Sequence, residues 1–404
     1  MRASIAVAAI VALGIALSGC AGVRTRDHDA LRTQLQRELD GVRERGYLPG
    51  VTGAVLLDDN SLLSMASGYA DEAVGTRMPS GAVMPAGSVG KQFVAAVALA
   101  LEHERRINLD VTIDRWFRDV PWYERVPNAH AISLRMLLMH RSGLPDHRES
   151  AAFRDEIVAR FAERPYDPDF RIAPERLVSF VLDAPALFAA GQGFRYSETG
   201  YILAGMAIER ACGCSYYQEL ERRFLTPLGL THTRPANVRS VPGLVQGQIG
   251  AAIPEFPPRT MRNGRMLFNP ATEWTGGGLF SNVDDLVRWS RALYEGRAMT
   301  WPYLDELLRG DPALPAAADS YGLGVRTQST PLGTAYGHAG EFPGYLSFVC
   351  YFPDHRTAVA LQTNTASATP GLLRDAAIAL MRIVLAHAGQ SSSVMSPSFR
   401  VAVF

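Results

Sequence analysis

Ser88 and Lys91 stand three residues apart in the stretch Pro85-Ala86-Gly87-Ser88-Val89-Gly90-Lys91-Gln92-Phe93, at the head of an apolar run. On a helix that spacing puts both side chains on neighbouring parts of one face. A free serine hydroxyl is a poor nucleophile, but a desolvated lysine amine at close range can take its proton. Arginine cannot replace that lysine, because a guanidinium does not deprotonate at accessible pH. Lys91 is the one lysine among the 40 Lys and Arg residues of the chain. A chain that uses arginine for every other long cation keeps lysine where a cation must be able to give up its proton. A surface lysine is the plainer alternative, yet the residues around it are small or apolar.

Two later stretches carry further candidates. Arg195-Tyr196-Ser197-Glu198-Thr199-Gly200-Tyr201 precedes an apolar helix pattern at Ile202, Leu203, Met206 and Ala207. Tyr336-Gly337-His338-Ala339-Gly340-Glu341 opens a strand pattern just before Phe342-Pro343-Gly344. Singly, Tyr196 reads as an ordinary core or surface tyrosine and His338 as a turn histidine at a strand end. No Gly-x-Ser-x-Gly occurs, which argues against a nucleophile elbow. No His-Glu-x-x-His occurs either, which argues against a zinc-peptidase helix.

The elements that must position these residues follow from periodicity. Residues 27–45 read as a helix, with Leu31, Leu35, Leu39 and Val42 on one face and Gly46 as a stop. Val51 to Leu57 and Ser61 to Ser67 read as strands joined at the turn Asp58-Asp59-Asn60. Gly87-Ser88 opens a long helix through Phe93, Val94, Val97 and Leu101. Residues 105–270 read as helices and loops broken by Pro and Gly. Ser281 to Leu293 reads as a helix with Ser281 as N-cap and Asp284 and Asp285 in its first turn. Tyr345 to Phe352 alternates Leu346, Phe348, Cys350 and Phe352 on one face, Pro353 to Arg356 turns, Thr357 to Thr363 returns, and 370–387 is a last apolar helix. The expected class is α/β: an antiparallel sheet of early and late strands flanked by helices, plus an inserted mainly helical lobe. The boundaries read as an α/β lobe at 27–87 and 275–388, a helical lobe at 88–274, and a mobile tail at 389–404. A cleft between lobes is the natural place for a site.

Composition bounds the partners. The 404 residues are 47% hydrophobic and 20% charged with zero formal net charge, as in many globular enzymes. With no basic run and with Arg interspersed among Asp and Glu, nothing points to nucleic acid. Arg2 and the apolar run Ile5 to Leu17 read as a targeting segment too short to span a membrane comfortably. Its end, Leu17-Ser18-Gly19-Cys20, resembles the lipobox of bacterial lipoproteins. That resemblance implies a signal peptide at 1–19, a lipidated Cys20, a linker at 20–26 and a lipid anchor in the cell envelope on the periplasmic face. Ala21 after the cysteine points to the outer membrane. Cys212-Gly213-Cys214 is too tight for a usual metal knuckle. A disulfide from Cys350 to Cys212 or Cys214 stays open on sequence grounds.

Taken together, Ser88-Val89-Gly90-Lys91, Tyr196-Ser197-Glu198 and His338-Ala339-Gly340 resemble, in order and spacing, the S-x-x-K, Y-x-N and H-x-G motifs of the serine β-lactamase and penicillin-binding-protein superfamily, in its class C β-lactamase-like, esterase and D-aminopeptidase branch. Leu134 to Asp146, Leu225 to Thr233 and Gly276 to Trp289 add softer matches, so the likeness runs over about residues 27–387. The resemblance implies a β-lactamase/transpeptidase-like fold and a serine hydrolase that works through an acyl-enzyme without a cofactor or metal. Ser88 would be the nucleophile, and Lys91 and Tyr196 would share the proton work. The main-chain N–H groups of Ser88 and Glu341, the latter after Gly340, would form the oxyanion hole. His338 would line the site and meet substrate.

Two departures shape the expected substrate, which is a small molecule or peptide. Glu198 stands where the family has Asn; a carboxylate cannot donate to a substrate carbonyl and would favour the protonated form of Lys91. That predicts a shift away from β-lactams toward substrates bearing an amine. His338 replaces the lysine that binds the β-lactam carboxylate, and a mostly neutral imidazole holds an anion less well. Esters, amides or D-amino-acid peptides are expected, with weak or absent β-lactamase activity. The competing class is a non-catalytic penicillin- or cell-wall-binding protein of the same fold.

Overall fold

The structure, a computed structural model, describes residues 28–163, 165–250, 256–310, 319–369 and 371–394. In chain order its main elements are α1 (28–45), β1 (Gly50–Leu56), β2 (Leu62–Asp71), β3 (Thr76–Arg77), α2 (Lys91–His103), α3 (Ala151–Ala162), α4 (Glu198–Cys212), α5 (Val283–Tyr294), β4 (Ser320–Tyr321), β5 (Arg326–Thr330), β6 (Gly333–Phe342), β7 (Tyr345–Phe352), β8 (Thr357–Thr363) and α6 (Leu372–Val394). Cys20, the apolar run before it and residues 395–404 lie outside the described residues. Among the described residues no helix is long and apolar enough to cross a membrane.

The strands form one antiparallel sheet in the order β3-β2-β1-β8-β7-β6-β5-β4. Early and late strands meet at β1 and β8, in register from Val51 opposite Thr363 to Leu56 opposite Ala358. Alternation along each strand splits the side chains between two cores. On the outer face Val51, Val55, Phe348, Cys350, Phe352, Val359 and Leu361 pack against α1 and α6. The stripe Leu31, Leu35, Leu39 and Val42 of α1 is buried there, as its periodicity requires. The opposite face is narrower: Ala54, Ala358 and Ala360 let α5 lie close, and this core continues without a break into α2 and α4. The helical middle of the chain is therefore joined to the sheet by packing, and α2 carries Lys91 into that shared core.

Several local expectations change. The N-cap of α5 is Asn282, whose side chain accepts the Asp285 N–H at 2.9 Å. Ser281 ends a short strand, Leu279–Ser281, and its hydroxyl bonds Thr233 at 2.8 Å. The helix α6 runs to Val394, past Gly389. Cys212 and Cys214 are bridged to each other, with Gly213 turning the chain at φ 62° between them. Cys350 is a free, buried thiol on the outer face of the sheet, facing α1 and α6, so it does not reach either one.

Candidate active site

Ser88 lies in a 3₁₀ turn, Gly87–Gly90, and the α-helix proper starts at Lys91 rather than at Gly87. Gly87 has φ 54°, and a Cβ there would fall 2.5 Å from the Glu341 carbonyl. Glycine thus lets β6 cross the turn main chain to main chain. Gly340 serves the same approach, since its Cβ would lie 2.0 Å from the Ala86 carbonyl. Gly277 closes the other side, where a Cβ would strike the Gly87 carbonyl at 2.2 Å. The turn bearing Ser88 is clamped by backbone on two sides, and Glu341 sits where its main chain borders the serine.

Lys91 is fully buried and Glu198 is 3% exposed. Lys91 Nζ donates to Ser88 Oγ at 3.0 Å, to Glu198 Oε2 at 2.6 Å and to the Gly276 carbonyl. Ser88 Oγ itself lies 3.4 Å from Glu198 Oε1. A buried ammonium needs a paired and hydrogen-bonded setting, and all three of its donors are used here. Glu198, at the start of α4, is thus the direct partner of the lysine, as the replacement of the family's Asn foreshadowed.

Tyr196 is brought beside them but differently from expectation. Its ring centroid lies 5.0 Å from Lys91 Nζ, and its buried hydroxyl has the Ser88 hydroxyl nearby but outside ordinary hydrogen-bond geometry. Burial, then the Glu198 carboxylate, raise its pKa well above the ordinary phenol value, with the Ser88 hydroxyl pulling the other way. That direction keeps Tyr196 a neutral phenol, while Lys91 pairs with Glu198.

His338 is not a wall of the cleft. It is 2% exposed and stands behind Tyr196, ring centroids 6.2 Å apart. Ser197 N–H donates to His140 Nδ1 at 3.1 Å, so the His140 proton is on Nε2, facing Tyr321 Oη at 3.2 Å. Tyr321 then donates to His338 Nε2 at 2.8 Å, which leaves the His338 proton on Nδ1, directed at the Ala339 carbonyl. Both ring nitrogens of His338 are used. Burial, followed by the Lys91 charge, pushes its pKa down to about 3. The expected contact of His338 with substrate gives way to a structural one: with Tyr321 and His140 it backs the Tyr196 ring, which rests 4.0 Å from that of His140.

A cleft of ≈ 450 Å³ opens beside Glu198, Gly276 and Glu341. Its walls are aromatic: Phe153, Phe161, Tyr166, Phe170, Phe256 and Phe268. Arg154 and Arg160 stand among these aromatics, and Arg148, Glu273 and Glu341 join Glu198 in the lining. Sequence reasoning missed Arg148 and Glu273. Arg148 lies 3.9 Å from Glu198. Burial, then Glu198, push the Glu273 pKa up to about 7. A visible signal was the run Glu273-Trp274-Thr275-Gly276-Gly277-Gly278, whose glycines permit the approach to the Ser88 turn. A larger cavity of ≈ 790 Å³ lies elsewhere, at β2 and β3, and shares none of these residues. Among the described residues no group of His, Cys, Asp and Glu could hold a metal ion.

The chain is similar to several known proteins. A penicillin-binding protein 4* of Bacillus subtilis is 24% identical over 308 residues, covering 74% of the chain and 64% of that protein. A D-aminopeptidase of Brucella anthropi is 25% identical over 339 residues, covering 83% of the chain and 59% of that protein. The chain thus spans less than two thirds of the length of these two relatives. Among solved structures, a D-amino acid amidase from Ochrobactrum anthropi SV3 superposes with a TM-score of 0.70 at 26% identity, covering 90% of this chain and 99% of that one. A D-stereospecific amidohydrolase from Streptomyces gives 0.72 at 25% identity, covering 86% and 98%. The Beta-lactamase family profile matches residues 35–382, most of the described chain, and the protein belongs to that family.

Proposed function

We propose that the protein is a serine hydrolase that acylates Ser88 and acts on amides or esters of amino acids. The observation that carries this is the buried contact of Ser88 Oγ with Lys91 Nζ at 3.0 Å, with Lys91 held by Glu198 at 2.6 Å. The ion pair supports one route for the proton. As Ser88 Oγ bonds to the substrate carbonyl carbon, its proton passes to Lys91, and Lys91 hands one of its own to Glu198 Oε2. The proton store is then Glu198, and Lys91 remains a cation beside the developing oxyanion. Breakdown of the tetrahedral species returns the proton stored on Glu198 through Lys91 to the leaving nitrogen as its bond to carbon breaks, and where the Tyr196 phenol gives the proton instead it regains one from Lys91. Water then cleaves the acyl-enzyme, and the serine proton is restored by the same pair.

The amidase and aminopeptidase relatives support amides with a free amine as substrates. The burial of His338 as an uncharged ring supports poor β-lactam turnover, since it supplies no cation to hold a β-lactam carboxylate. One observation favours a second reading: an ammonium clamped at 2.6 Å by a carboxylate suits a protein that is acylated slowly and released slowly, a penicillin binder. A fluorophosphonate probe, with turnover of D-amino-acid p-nitroanilides and a chromogenic cephalosporin, separates the two. The hydrolase reading expects labelling and anilide turnover, both abolished in Ser88→Ala; the binder reading expects labelling or β-lactam capture without turnover. The N-terminal motif supports a lipid tether at Cys20, for which loss of the protein from membranes in Cys20→Ala is the test.

A further inference from the structure

The Tyr196 hydroxyl lies near that of Ser88, yet no ordinary hydrogen bond holds it. Its direction is set by what grips the ring and the chain on either side. His140 does both. Its carbonyl accepts the Arg195 N–H at 2.9 Å, its Nδ1 accepts the Ser197 N–H at 3.1 Å, and its ring rests 4.0 Å from that of Tyr196. His140 is buried and has φ 56°, a left-handed conformation that histidine seldom takes. Such a residue persists where the surrounding structure over-determines it.

The imidazole plane of His140 is fixed in turn from its far side. His140 Nε2 donates to Tyr321 Oη at 3.2 Å, Tyr321 Oη donates to His338 Nε2 at 2.8 Å, and His338 Nδ1 donates to the Ala339 carbonyl. Every donor points the same way, from the Ser197 N–H beside Tyr196 to the β6 carbonyl beside Gly340. One polarity holds only while both imidazoles are neutral. Burial keeps them so, pushing both histidine pKa values down. Tyr321 Oη is the joint between the two rings, and the Tyr321 ring also meets that of Tyr196 edge-on at 6.2 Å. We propose that Tyr321, acting through His140, is a positioning residue that aims the Tyr196 phenol at the leaving nitrogen of the tetrahedral species. The inference rests on the reading of Ser88 as the acylated residue. It adds a residue on which amide cleavage depends and cleavage of an activated ester does not. As the carbon–nitrogen bond breaks, its electron pair stays on nitrogen, which takes the Tyr196 proton. The phenolate regains a proton from Lys91, and Lys91 recovers the one stored on Glu198. A nitrophenolate leaves without a proton, so its ester bypasses the phenol.

The test compares D-phenylalanine p-nitroanilide with p-nitrophenyl acetate in the full chain, with Ser88→Ala as the blank. Tyr321→Phe keeps the ring and removes the joint. The anilide kcat should fall about tenfold at constant KM, ~1.4 kcal/mol of barrier, while kcat/KM for the ester stays within about twofold. In a Tyr196→Phe background the same change should cost the anilide nothing further, because the phenol it aims is gone. Equal losses on both substrates, or a second tenfold loss in the double variant, would make Tyr321 a general packing residue and overturn the proposal. Where Tyr321→Phe does not fold, His338 gives the reading. His338→Gln offers Tyr321 an amide oxygen and should keep anilide turnover within about threefold, whereas His338→Met should lose it about tenfold with the ester spared. The same effect from both would overturn the proposal. Hydrogen exchange at the Ser197 amide, followed by NMR, reads the grip without turnover. It should quicken about tenfold in Tyr321→Phe, while the Glu198 amide, held by Asp146 Oδ2 at 3.1 Å, keeps its rate. Unchanged exchange at Ser197 would overturn the proposal. No turnover of either substrate, with Ser197 exchange selectively quickened, would instead sink the hydrolase reading and leave the positioning role standing.

Discussion

Glu198 is the residue on which the chemistry turns. In Glu198→Asn the buried Lys91 loses its carboxylate, and breaking one side of a buried pair costs about 3–5 kcal/mol. Thermal unfolding should therefore move down by several degrees, and amide turnover should drop on the order of 100-fold as the proton acceptor disappears. An amide that can donate to a substrate carbonyl should bring cephalosporin turnover up from its low base; an unchanged substrate profile would count against the role given to Glu198. Glu273 makes a prediction of opposite sign. Its folded pKa of about 7 lies above the ordinary carboxylate value, so the native state holds a proton that the unfolded chain releases. The folded state loses stability as pH rises from about 4.5 to about 7. Glu273→Gln removes that loss, and the free variant should melt higher than wild type at pH 8 and equal to it at pH 4. A lower melting point at pH 8 would mean that Glu273 is paired in solution. Ser88, Lys91, Tyr196 and Glu198 could be read from the chain because their chemistry depends on residue type and on short spacings. Glu273 could not, since what brings it to Glu198 is the close approach of its loop at Gly276, which no spacing records.

At the scale of elements, the loop Glu273–Gly278 is tied to α4 by close packing. A Cβ on Gly205 would fall 2.4 Å from Thr275 Oγ1, which in turn donates to the Tyr201 carbonyl at 2.8 Å. Gly205→Ala should push Thr275 and the loop out of place, costing about 1–3 kcal/mol and raising KM. Asn282→Ala is the contrast. It removes the α5 cap, worth ~1 kcal/mol, and should lower the melting temperature by about 1 °C at this chain length with kcat/KM intact. The helix stripe of α1, the β1–β2 hairpin and the alternation of β7 were legible because one face of each is buried in a single core. The cap of α5 was misplaced by one residue because Ser281 and Asn282 are both good caps; the strand Leu279–Ser281 decides between them. His338 was misread for a related reason. The His-Ala-Gly pattern fixes where β6 passes Ser88 but not which way the ring faces, and Tyr321, distant in sequence from His140, claims it.

For the whole molecule, the joining of sheet and helical region through one core makes the site part of the fold's stability. His140, His147 and His338 are buried and uncharged, with pKa values pushed below the ordinary histidine value, His147 to about 4 and His338 to about 3, chiefly by burial. The unfolded chain binds protons at these residues below pH ~6.5 while the native state does not, so stability falls on acidification from there toward pH 4. Each contributes a slope of up to about 1.4 kcal/mol per pH unit, which denaturant titrations at several pH values would read. The central claim is more directly tested at Ser88. Intact-mass spectrometry of the protein, acid-quenched during turnover of a D-phenylalanine ester, should show a phenylalanyl adduct that peptide mapping places on Ser88. The adduct and the turnover should both vanish in Ser88→Ala. Turnover that survives in Ser88→Ala, or an adduct on another residue, would contradict the account.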